Sequence, residues 1–533
     1  MIKKEIKRLI KAAIRELQME KLFPDFEMSR IEVDSAIEDI FGDYSVNTAM
    51  RIAKEIKKSA MEVALKITEE LKFLDRENRL FEKVEAVEPG FINFFVSKKN
   101  LLNFLNDFVA KGKYSFEESG KGKTIVIDYS STNIAKSFGV GHLRSTIIGQ
   151  AIYNIYKFLG WKCVGVNHLG DWGTQFGKLI RQIKVRKLVL ENLTIDDLEK
   201  TYIEFHKEVK DNPEMEDEAR GWFKKLEEGD EEARNIWKVC VETSLKEFER
   251  IYALLGVKID YCMGESFYVR EGKVNEIIKE AVKKKVASES QGALIIEYPD
   301  NVLPVSILLK SNKTTTYLTR DLATVKYRLK KWKPDLFIYE VGSDQSLHLK
   351  QLFLAVELLG WSKRENFFHV AHGLIRNIHG KFSTRKGETI HLENILNEAI
   401  ERAEKIVRES ADEQEFSEEK IKEIAKAVGI GAVKYNDLSQ HYKKDIVFDW
   451  DKMLNLKGDS GPYLQYVCAR TESVLRKAGG EAIFPADGGI FNKEEEVVLR
   501  TIFKFSEAVE KAAKRFSPNI ICEFSFDLAQ KYN

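Results

Sequence analysis

Gly139-Val140-Gly141-His142 follows a short apolar run, Thr124-Ile125-Val126-Ile127-Asp128-Tyr129, and opens a long helical pattern. A glycine-bearing loop at the carboxyl end of a strand, leading into a helix, is where open α/β sheets hold nucleotides. Backbone N–H groups and the helix dipole favour phosphate there. Gly141 has no side chain, so an adenine ring can lie flat against its backbone, and His142 can donate to a phosphate as negative charge builds. Local pattern leaves a second reading open, a packing glycine pair with a helix-capping histidine. Gly122-Lys123-Thr124 looks like the end of a P-loop, but position 117 is Glu where Gly is required, and the segment precedes a strand instead of following one.

The elements around the loop alternate. Lys162-Cys163-Val164-Gly165-Val166-Asn167-His168-Leu169 reads as a second strand, with further strands in 293–298, 304–310 and 335–342. Strands alternating with helices predict a doubly wound, Rossmann-type α/β domain with a parallel sheet. We place it at 116–392, with a charged helical insertion at about 181–256. Residues 1–115 read as a small α+β domain, with helical periodicity in 1–20 and 49–71 and a strand at 91–96. From 393 to 533 the pattern is helical to the end, a bundle-type all-α domain.

With 533 residues the chain is too long for one core. Lys+Arg 85 against Asp+Glu 84 leaves almost no net charge, so a nucleic-acid partner would be held by local basic patches. Five scattered cysteines show no metal-ligand spacing, which argues against zinc or a disulfide framework and for a reducing compartment, the cytoplasm. No apolar run reaches membrane-span length. The basic amphipathic start carries Glu5, Glu16 and Glu20 and no Ser, so it reads as a helix of the fold and not as a transit peptide.

Four more segments accompany the loop in order: Asn167 to Gly177 (NHLGDWGTQFG), Thr316 to Ala323 (TYLTRDLA), Val341 to Gln345 with His348, and Lys381 to Gly387 (KFSTRKG). Together they resemble the class I aminoacyl-tRNA synthetases, and within them the arginyl enzymes, over nearly the whole chain. The resemblance implies that arginine's carboxylate attacks the ATP α-phosphate, giving arginyl-adenylate and pyrophosphate, before transfer to tRNA(Arg). ATP would enter with Mg²⁺, held mostly through phosphates and water. Gly139, Gly141, His142, Lys381 and Ser383 would then bind ATP, with His142, Lys136, Lys381 and Arg385 catalytic. A cationic substrate needs a carboxylate, which a guanidinium meets bidentately. Asp321 is the candidate, and Tyr317, four residues earlier on a helix, shares its face; capping and core packing is the alternative for this pair. By analogy Gln345 reads the same end, while Asp128, Asn133 and His168 hold the α-amino and carboxylate groups. Asp128 can equally be an ordinary strand-end acid.

Two departures stand out. Gly139 occupies a position where the family usually has a histidine, and losing one such donor costs roughly 10²–10³ in rate. Either catalysis is weakened or nearby cations (Lys136, Lys381, Arg385) compensate, and we expect compensation. The KFSTR segment also lacks a second lysine, whose charge Lys136 would supply. The second departure is the stop at Gln530-Lys531-Tyr532-Asn533, inside a family helix, which reads as an incomplete bundle with exposed apolar surface. Tyr463, Tyr466 and Arg470 fall on one helical face suited to stacking anticodon bases, with tyrosine burial in the core as the alternative. Lys54, Lys57 and Lys58 would meet tRNA phosphates or face solvent. A monomer is expected. A synthetase-like RNA-binding or regulatory protein, another class I synthetase and a small nucleotidyltransferase are the competing readings.

Overall fold

A computed structural model describes residues 2–26, 31–36, 39–77, 80–111, 119–377, 380–381, 391–410, 416–479 and 491–533. The chain divides into two compact units, Glu118–Thr471 with Ala508–Phe526, and Met1–Glu117 with Glu472–Glu507 and Asp527–Asn533.

The larger unit is built on five parallel strands: β1 (Thr124–Asp128), β2 (Lys162–Leu169), β3 (Tyr261–Gly264), β4 (Leu336–Gly342) and β5 (Phe367–His372). Their order is β3-β2-β1-β4-β5. The chain winds outward from β1 through β2 to β3, then returns to β1's other side, so the switch point lies between β1 and β4. Asp128 stands in register with Val166 on one side and Tyr339 on the other. The apolar, β-branched β1 is buried along Ile125–Asp128, as a central strand must be. Helix α1 (Gly141–Phe158) packs closely on it because of Gly149, where a Cβ would stand 2.3 Å from that of Tyr129.

Between β2 and β3 come α2 (Thr174–Val185), α3 (Ile195–Glu208), α4 (Glu214–Glu228) and α5 (Glu231–Leu255), the expected helical insertion. Of the helices further along the chain, those that bear on the site are α6 (Tyr317–Trp332), α7 (Ser346–Leu358), α8 (Leu392–Ser410), α9 (Glu418–Leu438) and α10 (Gly461–Lys477).

Three expectations of local structure are corrected. The runs at 293–298 and 304–310 do not join the parallel sheet; Ala293–Ile296 and Ser306–Leu309 pair antiparallel, with Ser288–Ser290, in a separate sheet. Their connection is far shorter than the dozen or so residues a parallel crossover needs. Continuous periodicity at 49–71 conceals a break: Thr48–Ile56 stops at Lys57 (φ 57°), and Ala60–Leu74 restarts from a Ser59/Glu62 capping box. The helical C-terminal region is interrupted by Ile446–Phe448, which pairs parallel with Ile375–Asn377.

In the smaller unit, four antiparallel strands run in the order Asp34–Ser35, Tyr44–Val46, Phe91–Val96, Phe81–Val87. Helix Lys493–Phe503 packs on this body. Its Leu499 joins the apolar core, Arg500 pairs with the buried Asp43, and Glu496 meets Lys98 at 2.8 Å. Lys54, Lys57 and Lys58 are exposed.

Candidate active site

The carboxyl ends of β1, β2 and β4 deliver Asp128, His168 and Gly342 to one edge of the sheet. Helix α6 begins there because Thr316 and Thr319 donate to the Ile307 and Leu308 carbonyls, at 2.5 and 2.6 Å, tying its first turn to the small sheet. One turn in, Asp321 Oδ2 lies 2.6 Å from His348 Nε2, presented by the first turn of α7. Asp321 Oδ1 lies 3.8 Å from His168 Nε2. The hydrogen bond to Asp321 raises the His348 pKa above the ordinary value, against the effect of burial. Tyr317, one turn before Asp321, is 69% exposed. The Arg320 guanidinium lies 5.1 Å from its ring and pairs at 2.5 Å with buried Glu265.

Asp128 is not a free carboxylate. Its Oδ2 accepts from Arg328 Nη1 at 2.6 Å, and both side chains are buried. Arg328 Nε and Nη2, Tyr339 Oη and both His168 ring nitrogens are buried without a protein hydrogen-bond partner. An unmet buried polar group costs about 1–3 kcal/mol. Such a concentration at one strand edge marks a place built for a polar ligand or ordered water.

The glycine loop has another texture. A Cβ on Gly141 would meet nothing within 4 Å, so the space over its backbone is open. His142 Nδ1 is buried and unpartnered. Burial, aided by Lys136, pulls the His142 pKa down to about 4, so the imidazole is neutral near pH 7. Lys136 is exposed, with Nζ 5.5 Å from the Tyr202 ring of α3. Asn133, Lys136, Gln175 and Tyr202 line one small pocket. Gly139 is buried and forms an antiparallel bridge with His391. Gln345 is exposed at the start of α7. Lys381 pairs through its backbone with Arg376. Ser383 and Arg385 lie outside the described residues.

Beneath the loop, Arg144 of α1 pairs with Asp437 of α9 at 3.1 Å, both buried, and donates to the Lys444 carbonyl. Buried Glu340 accepts from His372 at 2.9 Å. The Arg144 contacts tie the first turn of α1, which carries His142, to α9 and to the segment that follows it. On α10, Tyr466 is 51% exposed, while Tyr463 is half-buried with its ring edge-on to Phe526 at 5.6 Å. Arg470 is exposed.

Sequence reasoning missed Arg328, Arg144 with Asp437, and Tyr202. Arg328 carried a signal, since it falls seven residues after Asp321 on the same helical face. Tyr202 carried none, standing in a charged insertion like any surface tyrosine.

A doubly wound sheet with a glycine–histidine loop at its switch point is the catalytic domain of a class I aminoacyl-tRNA synthetase. The profile described as "tRNA synthetases class I (R), catalytic domain" matches residues 104–450. "Arginyl tRNA synthetase N terminal domain" matches 4–96 and "DALR anticodon binding domain" matches 464–533. An arginine–tRNA ligase of Clostridioides difficile is 39% identical over 516 residues, 95% of this chain and 89% of that one. The arginyl-tRNA synthetase structure from Plasmodium falciparum superposes with a TM-score of 0.83 at 27% identity, covering 100% of this chain and 91% of that one. The Thermus thermophilus arginyl-tRNA synthetase structure shares the fold (TM-score 0.82, 24% identity, 100% and 91% covered). The chain belongs to the arginyl-tRNA synthetases, and its activity is that of an arginine–tRNA ligase in protein synthesis.

Proposed function

We propose that the two ends of the sheet edge divide the reaction between them. Asp321 takes the arginine guanidinium, Tyr317 closes over it, and Gln345 reads the same end. Asn133 and His168 hold the α-amino and carboxylate groups, and Asp128 acts there together with Arg328. Gly139 and Gly141 let ATP lie against the loop, with Lys381 and Ser383 on its other side. His142 donates to the α-phosphate as arginine's carboxylate attacks it. Lys136, with Lys381 and Arg385, draws off the charge of the departing pyrophosphate. Mg²⁺ enters with ATP, held by phosphates and water. Tyr463, Tyr466 and Arg470 stack on anticodon bases of tRNA(Arg), and residues 1–115, 116–392 and 393–533 serve as tRNA-binding, catalytic and anticodon-binding domains. The protein works as a cytoplasmic monomer without a membrane. No helix among the described residues is long and apolar enough to cross one.

The observation carrying this reading is Asp321 between His348 and His168, with Tyr317 one turn away. The test is ATP–pyrophosphate exchange with each amino acid, with and without tRNA(Arg). Exchange with arginine alone among the amino acids supports the assignment. Gly139 favours a second reading, a catalytically weakened RNA-binding protein, for which tRNA binding without exchange would speak.

A further inference from the structure

Gly139 leaves the signature loop one side chain short at the phosphate end, and the fold brings another imidazole to that place. Gly139 and His391 form an antiparallel bridge, continued by the Leu392 N–H donating to the Phe138 carbonyl at 2.8 Å. Side chains directly opposite in an antiparallel pair project from the same face, with Cβ atoms about 4.5–5.5 Å apart. His391 therefore projects from the face that a side chain at 139 would use.

Helix α3 shows which way that face looks. Asp196 accepts from Ser137 Oγ at 3.3 Å, Glu199 approaches His391 Nε2 at 3.8 Å, and the Tyr202 ring lies 5.5 Å from Lys136 Nζ. These three residues succeed one another at i, i+3 and i+6, a single stripe of the helix. One stripe thus holds the loop at 136–137 and His391 together. The His391 imidazole is partly exposed (37%) and near one carboxylate that can orient it. Among the described residues Glu199 of α3 faces it, and Asp196 and Lys136 lie at either end of the same stripe.

We propose that His391 supplies to the ATP phosphates the imidazole that Gly139 does not, standing in across the bridge for a histidine at 139. This rests on the assignment of 139–142 as the ATP loop. Oriented by Glu199, the imidazole donates to a phosphate oxygen as charge develops, beside Lys136 and opposite His142.

The test uses the full chain with tRNA(Arg), in arginine-dependent ATP–pyrophosphate exchange. His391→Ala should lower kcat about tenfold to a hundredfold with a smaller change in the KM for ATP, as loss of one preorganised donor does. Adding Gly139→His to that variant should recover most of the loss. If His391→Ala melts early, His391→Gln takes its place in the comparison. A loss below twofold, or a loss that Gly139→His leaves unrelieved, overturns the proposal. His142→Ala with undiminished exchange would instead remove the ATP-loop assignment itself.

Discussion

The two ends of the sheet edge are built by opposite means. At the end proposed for arginine the carboxylates are already held: Asp321 by His348 at 2.6 Å, Asp128 by Arg328 at 2.6 Å, and Glu265 by Arg320. At the end proposed for the nucleotide the groups wait: Gly141 faces open space, His142 Nδ1 has no partner among the described residues, and Lys136 lies over the Tyr202 ring. The contrast follows from what each substrate brings. A guanidinium is recognised by fixed geometry, so its partner must be preorganised before it arrives. Triphosphate brings its own charge and metal ion, and its donors are needed only as charge shifts in the transition state.

Replacing Asp321 with Asn should break the arginine end most severely. Arginine kcat/KM in the exchange assay should fall on the order of 10³, since the guanidinium loses its proposed counter-charge, with the KM for ATP nearly unchanged. His142→Ala should cut kcat by about 10² while calorimetric arginine affinity stays within twofold. If arginine affinity fell equally, the two ends would not be separate. Lys136→Ala should lower the rate of adenylate formation about tenfold in single-turnover quench, and an intact rate would remove it from the pyrophosphate path.

A smaller effect separates the ends by pH. Below its raised pKa, protonated His348 neutralises Asp321 and competes with the incoming guanidinium; above it the carboxylate keeps its full charge. The arginine KM should therefore fall a few-fold as pH rises above about 6.5, and His348→Gln should flatten that dependence. His142, neutral above about pH 4, should contribute no limb to the kcat profile between about pH 6 and 8. The same lowered pKa means that its contribution to stability is lost as pH falls below about 6.5, where the unfolded histidine takes up a proton more readily. Smallest is Gly141→Ala: with nothing within 4 Å of the new Cβ, the melting temperature should not drop. The KM for ATP should rise a few-fold if an adenine uses that backbone, and an unchanged KM would place the ring elsewhere.

The sequence made the loop, the strand before it and the Tyr317/Asp321 turn legible, because each depends on short-range pattern: a glycine-bearing turn after an apolar run, and i, i+4 spacing on a helix. Strand membership was not legible for 293–298 and 304–310, since apolar runs of that length look alike in parallel and antiparallel sheets and only the connection length decides between them. Pairing partners were hidden for the same reason. Nothing near Asp128 in the chain announces Arg328, 200 residues later, and Arg144 and Asp437 are separated by 293. Such pairs come from topology. His391 was passed over because its neighbour is Gly139, a residue with no side chain to suggest one.

The smaller unit has a consequence for how the protein is made. Arg500 reaches Asp43 across 457 residues, and Leu499 completes a core begun by the first helix. At about 5–20 residues per second, the N-terminal body spends roughly 20 to 90 seconds with that acidic group lacking its Arg500 partner and that apolar face bare. During that interval it is a client for holding chaperones, and the helix Lys493–Phe503, translated long afterwards, acts as its clasp.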